Sequence, residues 1–167
     1  MSRIPAIDPT RPRGRIKRAF HAFGISEVGR WYGINVASRI DPPLLRLTRG
    51  RFATTSALPL VVLHVRGRRS GELRDVPLVY FTDGEDVILV ASSFGRAEHP
   101  AWYLNLRANP DVKLTAGGFT GDYRARQVEG AERERLYALA ERNYAGYGDY
   151  QVLAAEREIP VMALSPA

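Results

Sequence analysis

Residues 58–81, LPLVVLHVRGRRSGELRDVPLVYF, decide the fold because two apolar runs flank one short polar turn. The runs, 58–65 and 76–81, are rich in valine and leucine and have the length of strands. Residues 66–74, the basic turn, contain four arginines and two glycines. Glycines permit a tight bend and expose backbone N–H groups, while arginine forks suit phosphate or carboxylate. The turn is therefore either an anion-binding hairpin or a solvated surface turn, and residue types alone slightly favour the solvated turn.

The spacing of apolar runs and turn residues after this hairpin predicts more short strands. Asp83-Gly84 and Gly117-Gly118 are typical of tight hairpin turns. The expected strands cover residues 59–66, 73–82, 86–92, 111–116, 120–129 and 159–164. Short strands in this number, interrupted by helices, predict a mainly β protein, a small barrel with flanking helices.

Two helices are expected within this part of the chain. One lies between Pro100 and Pro110, because proline suits the first turn of a helix and also its stop. The clearer helix covers residues 131–144, where leucine and alanine recur on one face and charged residues on the other.

The composition is that of one globular domain. The chain has 167 residues, of which 45% are hydrophobic and 25% charged, and it has no cysteine. Disulfides and thiolate metal sites are thereby excluded, which fits a reducing compartment. A membrane-spanning helix is not expected, since no run of eighteen apolar residues occurs, and the N-terminus lacks the apolar core of a secretory signal. We therefore expect a cytoplasmic protein.

The positive charge is concentrated at the N-terminus. Residues 1–51 contain 11 Lys/Arg and 3 Asp/Glu, whereas residues 52–167 contain 13 and 15. We predict that the proline-rich residues 1–14 form a flexible basic arm and that residues 15–167 form a single domain. The arm is expected to be solvated or to contact a membrane surface. Nucleic acid is not expected, because no aromatic residues are interleaved with the charges. Further helices are predicted at 15–23, 27–40 and 44–47.

Several classes of active site are disfavoured by the motifs. The three histidines, His21, His64 and His99, are widely scattered, so a metal site is not expected. A Ser-His-Asp triad stays open but has no nucleophile-elbow motif to support it. Neither a phosphate-binding Walker loop nor a dinucleotide-binding glycine fingerprint occurs.

Three motifs in this order resemble the deazaflavin-dependent nitroreductase and quinone reductase family. They are GRRSGELRDVPLVYF (67–81), LVASSFGRAEHPAWYLNLRANPDVKL (89–114) and the C-terminal NYAGYGDYQ with REIPVMAL. Members of this family are split β-barrels that use reduced coenzyme F420, so the resemblance implies a split β-barrel of about six strands. The family often has lysine where Arg69 stands, and a glycine pair where Phe94-Gly95 stands.

The resemblance also implies which residues bind the cofactor. The basic turn would meet its phosphodiester and polyglutamate tail, and the segments after it would meet the ring. For Trp102 and Asn105, a core anchor and a helix-end hydrogen bond are equally open. The implied cofactor-binding residues are Arg66, Arg68, Arg69, Ser70, Gly71, Arg74, Val76, Pro77, Ala91, Ser92, Ser93, Gly95, Trp102 and Asn105.

A tyrosine cluster near the C-terminus is the second candidate site. Tyr144, Tyr147 and Tyr150 are spaced by three, which predicts one helical face if the segment is helical. They form either an aromatic face on the core or, as the resemblance implies, a substrate pocket to which Trp31 also contributes. Tyr147 is then the candidate proton donor or orienting group, with Ser92 as its partner.

The implied reaction is hydride transfer from the reduced deazaflavin to an electron-poor acceptor, which would be a quinone, an enone or a nitro compound. Two alternatives stay open. One is an FMN-dependent oxidoreductase on the same fold, and the other is a non-catalytic protein that binds the deazaflavin or a lipid. The residues also leave open whether the chain forms a homodimer.

Overall fold

The computed structural model describes residues 4–10, Leu47 and residues 58–167. Within them lie a 3-10 turn at Ser93–Gly95 and three helices, α1 (Ala101–Ala108), α2 (Gly130–Asn143) and α3 (Gly146–Leu153). The strands are β1 (Leu60–Arg66), β2 (Leu73–Asp83), β3 (Asp86–Val90), β4 (Asp111–Ala116), β5 (Phe119–Val128) and β6 (Val161–Pro166). The helices predicted at 15–23 and 27–40 lie outside the described residues, as does the one at 44–47 except for Leu47, which is helical.

The six strands close into an antiparallel barrel in the order β1-β2-β3-β6-β5-β4. This confirms the predicted fold class. The strand boundaries agree with the predicted ones to within two residues. The last strand begins at Val161 rather than at residue 159, after Pro160, which has no N–H to donate to a ladder.

Alternation along the strands separates two cores. In β3, Val87 and Leu89 point into the barrel, whereas Ile88 and Val90 point outward. Helix α1 contributes to the interior cluster, while α2 and α3 pack on the outward-facing cluster. The barrel thus has a filled interior and one helix-covered outer wall.

The β2–β3 ladder leaves a gap, the side of residues 73–79 of β2 that pairs with no described strand. The paired residues run from Asp83↔Asp86 to Tyr80↔Leu89, so residues 73–79 of β2 extend past the end of β3. They remain paired with β1 on their other side. Among the described residues no strand takes the place of β3 beside them, and proline at position 77 suits a strand with one free edge. The chain leaving β3 enters the 3-10 turn at this gap.

The N-terminal segment differs from the flexible arm that we expected. Residues 4–10 lie against the barrel, with Ile4 only 7% exposed in the interior cluster. The Pro5 carbonyl accepts a hydrogen bond from the Tyr80 hydroxyl at 2.9 Å, and Ile7 and Thr82 exchange backbone and side-chain hydrogen bonds. Burial raises the pKa of Tyr80 to about 12, so the phenol keeps the proton that it donates. The prolines and the positive charge gave no sign in the sequence that residues 4–10 pack on the barrel.

Truncating Ile4 should therefore destabilise the barrel. Ile4→Ala removes a buried side chain, a change that typically costs about 2–5 kcal/mol, and the lower end applies near a chain terminus. Thr10→Ala, at an exposed position of the same segment, is the control. Urea unfolding measures both, and equal midpoints for Ile4→Ala and the parent protein would show that the segment does not contribute to the core.

Candidate functional site

The basic turn is a closed loop at the end of the β1–β2 hairpin. The Gly67 N–H donates to the Glu72 carbonyl at 2.8 Å, and the Gly71 N–H donates to the Gly67 carbonyl at 2.8 Å. Gly71 has a φ of +71°, a conformation that glycine adopts without steric cost. The Ser70 hydroxyl accepts a hydrogen bond from the Glu72 N–H at 3.3 Å. These contacts give the turn a defined shape.

Helix α1 holds this turn in place. Asn105, which is buried, accepts a hydrogen bond at its side-chain oxygen from the Arg68 backbone N–H at 3.1 Å. The Asn109 side-chain amide donates to the Arg66 carbonyl at 3.3 Å, and the Asn109 backbone N–H donates to the Asn105 carbonyl at 2.9 Å. The Asn105 backbone carbonyl thus accepts the last backbone hydrogen bond of α1, and its side chain contacts the turn. Trp102 is buried in the interior cluster, as a core anchor would be.

The four arginines of the turn differ in how far their charges are compensated. Arg74 forms an ion pair with Glu72 at 3.0 Å, and Arg66 donates to a carbonyl inside the turn. The side chains of Arg68 and Arg69 are exposed and have no ion-pair partner within the described residues. Two positive charges are thus free to meet an anion.

Three predicted cofactor residues lie on different faces of the barrel wall. Val76 packs against the interior cluster, and the Ala91 side chain is fully buried there. Pro77 lies on the opposite, outer face of β2, because neighbouring side chains alternate. Of the three residues, Pro77 alone therefore has its side chain on the face of the outward-facing core. The alternation of side chains along a strand would have allowed us to predict opposite faces for Val76 and Pro77 from the sequence.

The Ser loop, residues 92–95, lies at the gap between β2 and β3 and has an unusual backbone. Ser93, Phe94 and Gly95 have consecutive φ values of +51°, +54° and +77°. Non-glycine residues seldom adopt this region, and such outliers cluster at binding and active sites. The Ser92 hydroxyl, half-buried, has no hydrogen-bond partner in the described part of the chain. It is free to bind a ligand.

The Ser loop packs closely on α3. A Cβ atom on Gly95 would lie 2.6 Å from the Leu153 Cβ and 3.1 Å from the Tyr150 carbonyl oxygen. The Phe94 ring meets the Tyr150 ring edge-on at 5.8 Å between centroids. The structure therefore brings the Ser loop and the tyrosine cluster together.

The three tyrosines form one aromatic cluster but not one helical face. Tyr147 and Tyr150 lie on α3, whereas Tyr144 is extended, with φ −151° and ψ 104°, between α2 and α3. The helical-face prediction is wrong for Tyr144. Gly146 allows this break, since a Cβ there would lie 2.5 Å from the Tyr144 ring.

All three rings are buried in the outward-facing core. The Tyr144 and Tyr150 hydroxyl groups lie 3.2 Å apart, and the Tyr144 and Tyr147 rings meet edge-on at 5.4 Å. Burial raises the pKa of Tyr147 well above its ordinary value, with smaller contributions from Tyr144 and Tyr137. The Tyr147 phenol therefore keeps its proton at neutral pH. Trp31, the other predicted pocket residue, lies outside the described residues.

Arg157 is a site residue that the sequence did not reveal. It follows α3, and its guanidinium reaches back to the Ser loop, donating to the Ser92 carbonyl at 2.8 Å and to the Arg96 carbonyl at 2.9 Å. Its Nη1 also lies 3.4 Å from His99 Nδ1. No local motif marks an arginine whose partners are 58 or more positions away.

His99 should make stability depend on pH. Burial, followed by the cations Arg157 and Arg107, lowers the pKa of His99 below its ordinary value of 6.5. The unfolded chain then binds this proton more readily, so stability that is present above about pH 6.5 is lost as the pH falls. In His99→Gln, whose side chain does not titrate, melting temperature should fall less between about pH 7 and pH 5 than in the parent. Parallel curves would contradict this assignment.

The described residues hold no group of three His, Asp or Glu side chains that could bind a metal ion. In the same part of the chain, no helix has the length and apolar character needed to cross a membrane.

Comparisons with known proteins identify the family of this chain. The model of the F420H2-dependent quinone reductase family matches residues 38–166. An F420H2-dependent quinone reductase of Mycobacterium tuberculosis (strain ATCC 25618 / H37Rv) is 32% identical over 147 residues, covering 83% of this chain and 98% of that protein. A solved F420H2-dependent reductase is 38% identical, with a TM-score of 0.59 over 64% of this chain and 94% of its own. A solved domain-swapped dimer is also 38% identical, with a TM-score of 0.60 over 64% of this chain and 80% of its own. The family match spans most of the sequence, and this chain belongs to the F420H2-dependent quinone reductase family.

Proposed function

We propose that this chain binds reduced coenzyme F420, an 8-hydroxy-5-deazaflavin, and catalyses hydride transfer to a quinone. Family membership supports the reaction class. The observation that carries the cofactor assignment is the pair of charges on Arg68 and Arg69, which have no ion-pair partner among the described residues and lie on a turn that Asn105 holds to helix α1. A cofactor with a phosphodiester and a polyglutamate tail needs several cations in one place, and arginine forks bind such oxygens in pairs.

The residues of the gap fit the rest of the cofactor. Between positions 73 and 79, the β2 edge that pairs with no described strand offers an apolar side chain at Pro77, and the Ser loop follows the end of β3. The Ser92 hydroxyl is available as a donor, and the loop backbone is held in one conformation. We infer that the ring system lies between Pro77 and the Ser loop, with the anionic tail on the basic turn.

When bound, the reduced deazaflavin supplies the hydride; the protein orients the acceptor and stabilises the negative charge that develops on it. Ser92 is the proposed donor to the acceptor oxygen, because its hydroxyl is half-buried and has no hydrogen-bond partner among the described residues. Tyr147, whose phenol holds its proton, is proposed as an orienting group in the wall of the acceptor site rather than as the acid. Tyr144 and Tyr150 would complete that wall.

An anaerobic assay tests the function directly. The purified chain is mixed with reduced coenzyme F420 and menadione, and the absorbance of the oxidised deazaflavin is followed. We expect enzyme-dependent oxidation with the quinone and none without it. Reduced FMN in place of the deazaflavin is the control. Turnover with FMN alone would favour the flavin alternative, and tight F420 binding without turnover would favour a carrier.

Removing the two proposed hydroxyl groups should slow turnover far more than it weakens cofactor binding. A positioned proton donor contributes about 10²–10⁴-fold to rate, so Ser92→Ala should lower kcat by about 100-fold. Tyr147→Phe keeps the ring and should lower kcat less, by about tenfold, since orientation alone is lost. The measurement is kcat with menadione beside the Kd of coenzyme F420 by fluorescence. Parent-like kcat in both variants would mean that the pocket works by shape alone.

Two wider associations are also proposed. The excess of positive charge in residues 1–51 suits contact with anionic lipid. Co-sedimentation with phosphatidylglycerol vesicles, compared with phosphatidylcholine vesicles, measures this contact.

A homodimer is proposed because a relative of the same fold forms a domain-swapped dimer. Light scattering after size exclusion measures the mass in solution.

A further inference from the structure

We propose that Arg157 is a positioning residue, which fixes the Ser loop in the conformation that binds the cofactor. This inference rests on the proposed function, because the Ser loop is assigned there to the deazaflavin. Arg157 itself acts through the loop and is not assigned a contact with the cofactor.

The guanidinium of Arg157 donates to three backbone carbonyls in the segment that follows β3. Its Nε donates to the Arg96 carbonyl at 2.9 Å, its Nη2 to the Ser92 carbonyl at 2.8 Å, and its Nη1 to the Ala91 carbonyl at 3.3 Å. The three carbonyls lie on both sides of the 3-10 turn. One planar fork therefore sets the distance between the start and the end of the Ser loop.

The Ser loop needs such a partner because its own hydrogen bonds are few. Within it, the Gly95 N–H donates to the Ser92 carbonyl and the Arg96 N–H to the Ser93 carbonyl. Ser93 and Phe94 are left-handed without being glycine, and surrounding contacts must offset the conformational energy that this costs. The close packing of Gly95 on α3 restrains the loop at this residue, and Arg157 restrains the carbonyls before and after it.

The backbone that carries Arg157 is itself anchored. The Gln151 side chain accepts a hydrogen bond from the Ile159 N–H at 3.1 Å and donates one to the Arg157 carbonyl at 3.0 Å. Arg133, a buried residue of α2, donates to the Gln151 side chain at 3.0 Å and to the Ile159 carbonyl at 3.1 Å. The fork thus projects from a segment whose backbone is fixed at residues 157 and 159, as a positioning role requires.

The hydrogen-bond partners of Arg157 are uncharged. The effect of the shape of its guanidinium can therefore be separated from the effect of its positive charge. No carboxylate lies within ion-pair distance of its guanidinium in the described residues, and burial lowers its pKa. Lysine would keep a positive charge at this position but would lose the planar fork that binds three carbonyls at once. The two contributions can therefore be tested with two substitutions.

Arg157→Lys and Arg157→Gln test the proposal, with Arg135→Lys as the matched control. Arg135 binds both carboxylate oxygens of Asp83 with its fork, at 2.7 and 3.2 Å, at the opposite end of β2. For both Arg157 variants we expect the Kd of coenzyme F420, measured by fluorescence, to rise by about 10- to 100-fold, since a displaced positioning group typically costs this much. Amide hydrogen exchange should become faster at residues 93–96 while exchange in β1 and β6 stays unchanged. Arg135→Lys should change neither measurement.

Two results would overturn the proposal while leaving the function intact. Parent-like affinity in Arg157→Lys would mean that charge, not the fork, matters. Faster exchange throughout the barrel would mean that Arg157 only stabilises the fold. If the parent protein itself does not bind coenzyme F420, the proposed function fails. The exchange measurement then still decides whether Arg157 holds the Ser loop, because it needs no cofactor.

Discussion

Replacing Arg68 and Arg69 together with alanine should raise the Kd of coenzyme F420 by about 30-fold. Both side chains are exposed and lack an ion-pair partner among the described residues, so their charges are available to the anionic tail. Exposed charge contacts contribute up to about 1 kcal/mol each, and two such losses correspond to about 30-fold in affinity. Fluorescence titration of the deazaflavin measures the change, and binding by the double variant should also depend less on salt.

The turn contains its own control for this experiment. Arg74 already forms an ion pair with Glu72, so Arg74→Ala removes a charge that is partly compensated and frees a carboxylate. Its effect on affinity should be smaller than that of the double variant. If Arg74→Ala weakens binding as much as the double substitution, net charge rather than the two free arginines determines affinity. An unchanged Kd in both the double variant and Arg74→Ala would show that the anionic tail of the cofactor does not bind at the basic turn.

The strands could be predicted because each depends on a short, local pattern. Alternating or continuous apolar residues, bounded by Asp83-Gly84 or Gly117-Gly118, fix both the existence and the ends of a strand. The basic turn was recognisable for the same reason, since its glycines and arginines are neighbours in sequence. What the sequence alone did not say was which of the arginines would pair with Glu72 and which would stay free.

The features that sequence analysis missed all depend on distant contacts. The N-terminal segment reads as a tail because of its prolines, yet it docks on the barrel through Ile4 and Ile7 and through hydrogen bonds with β2. Tyr144 leaves the helical face because Gly146 lets its ring fold over the backbone. Arg157 becomes a site residue only when the fold brings it to the carbonyls of Ser92 and Arg96.

Gly95→Ala should be among the most damaging single substitutions in this protein. Gly95 has a φ of +77°, and alanine pays about 1–2 kcal/mol to adopt such a left-handed conformation. The added methyl group would also lie 2.6 Å from the Leu153 Cβ and 3.1 Å from the Tyr150 carbonyl oxygen, and such overpacking typically costs a further 1–3 kcal/mol. We therefore expect a loss of about 2–5 kcal/mol in the free energy of unfolding, measured with urea, and much weaker binding of coenzyme F420 because the Ser loop must move off α3.

Gly84→Ala separates the two causes. Gly84 has a similar φ of +61°, but a Cβ there would have no atom within 4 Å, so this variant carries the backbone cost alone. It should lose about 1–2 kcal/mol and bind the deazaflavin as the parent does, since the β2–β3 turn lies at the other end of β2 from the basic turn. The difference between the two variants then measures the contact between the Ser loop and α3. An equal decrease in the free energy of unfolding in both variants would show that the Ser loop can move off α3 at no energetic cost. The close packing between the Ser loop and the tyrosine cluster would then not be what stabilises the site.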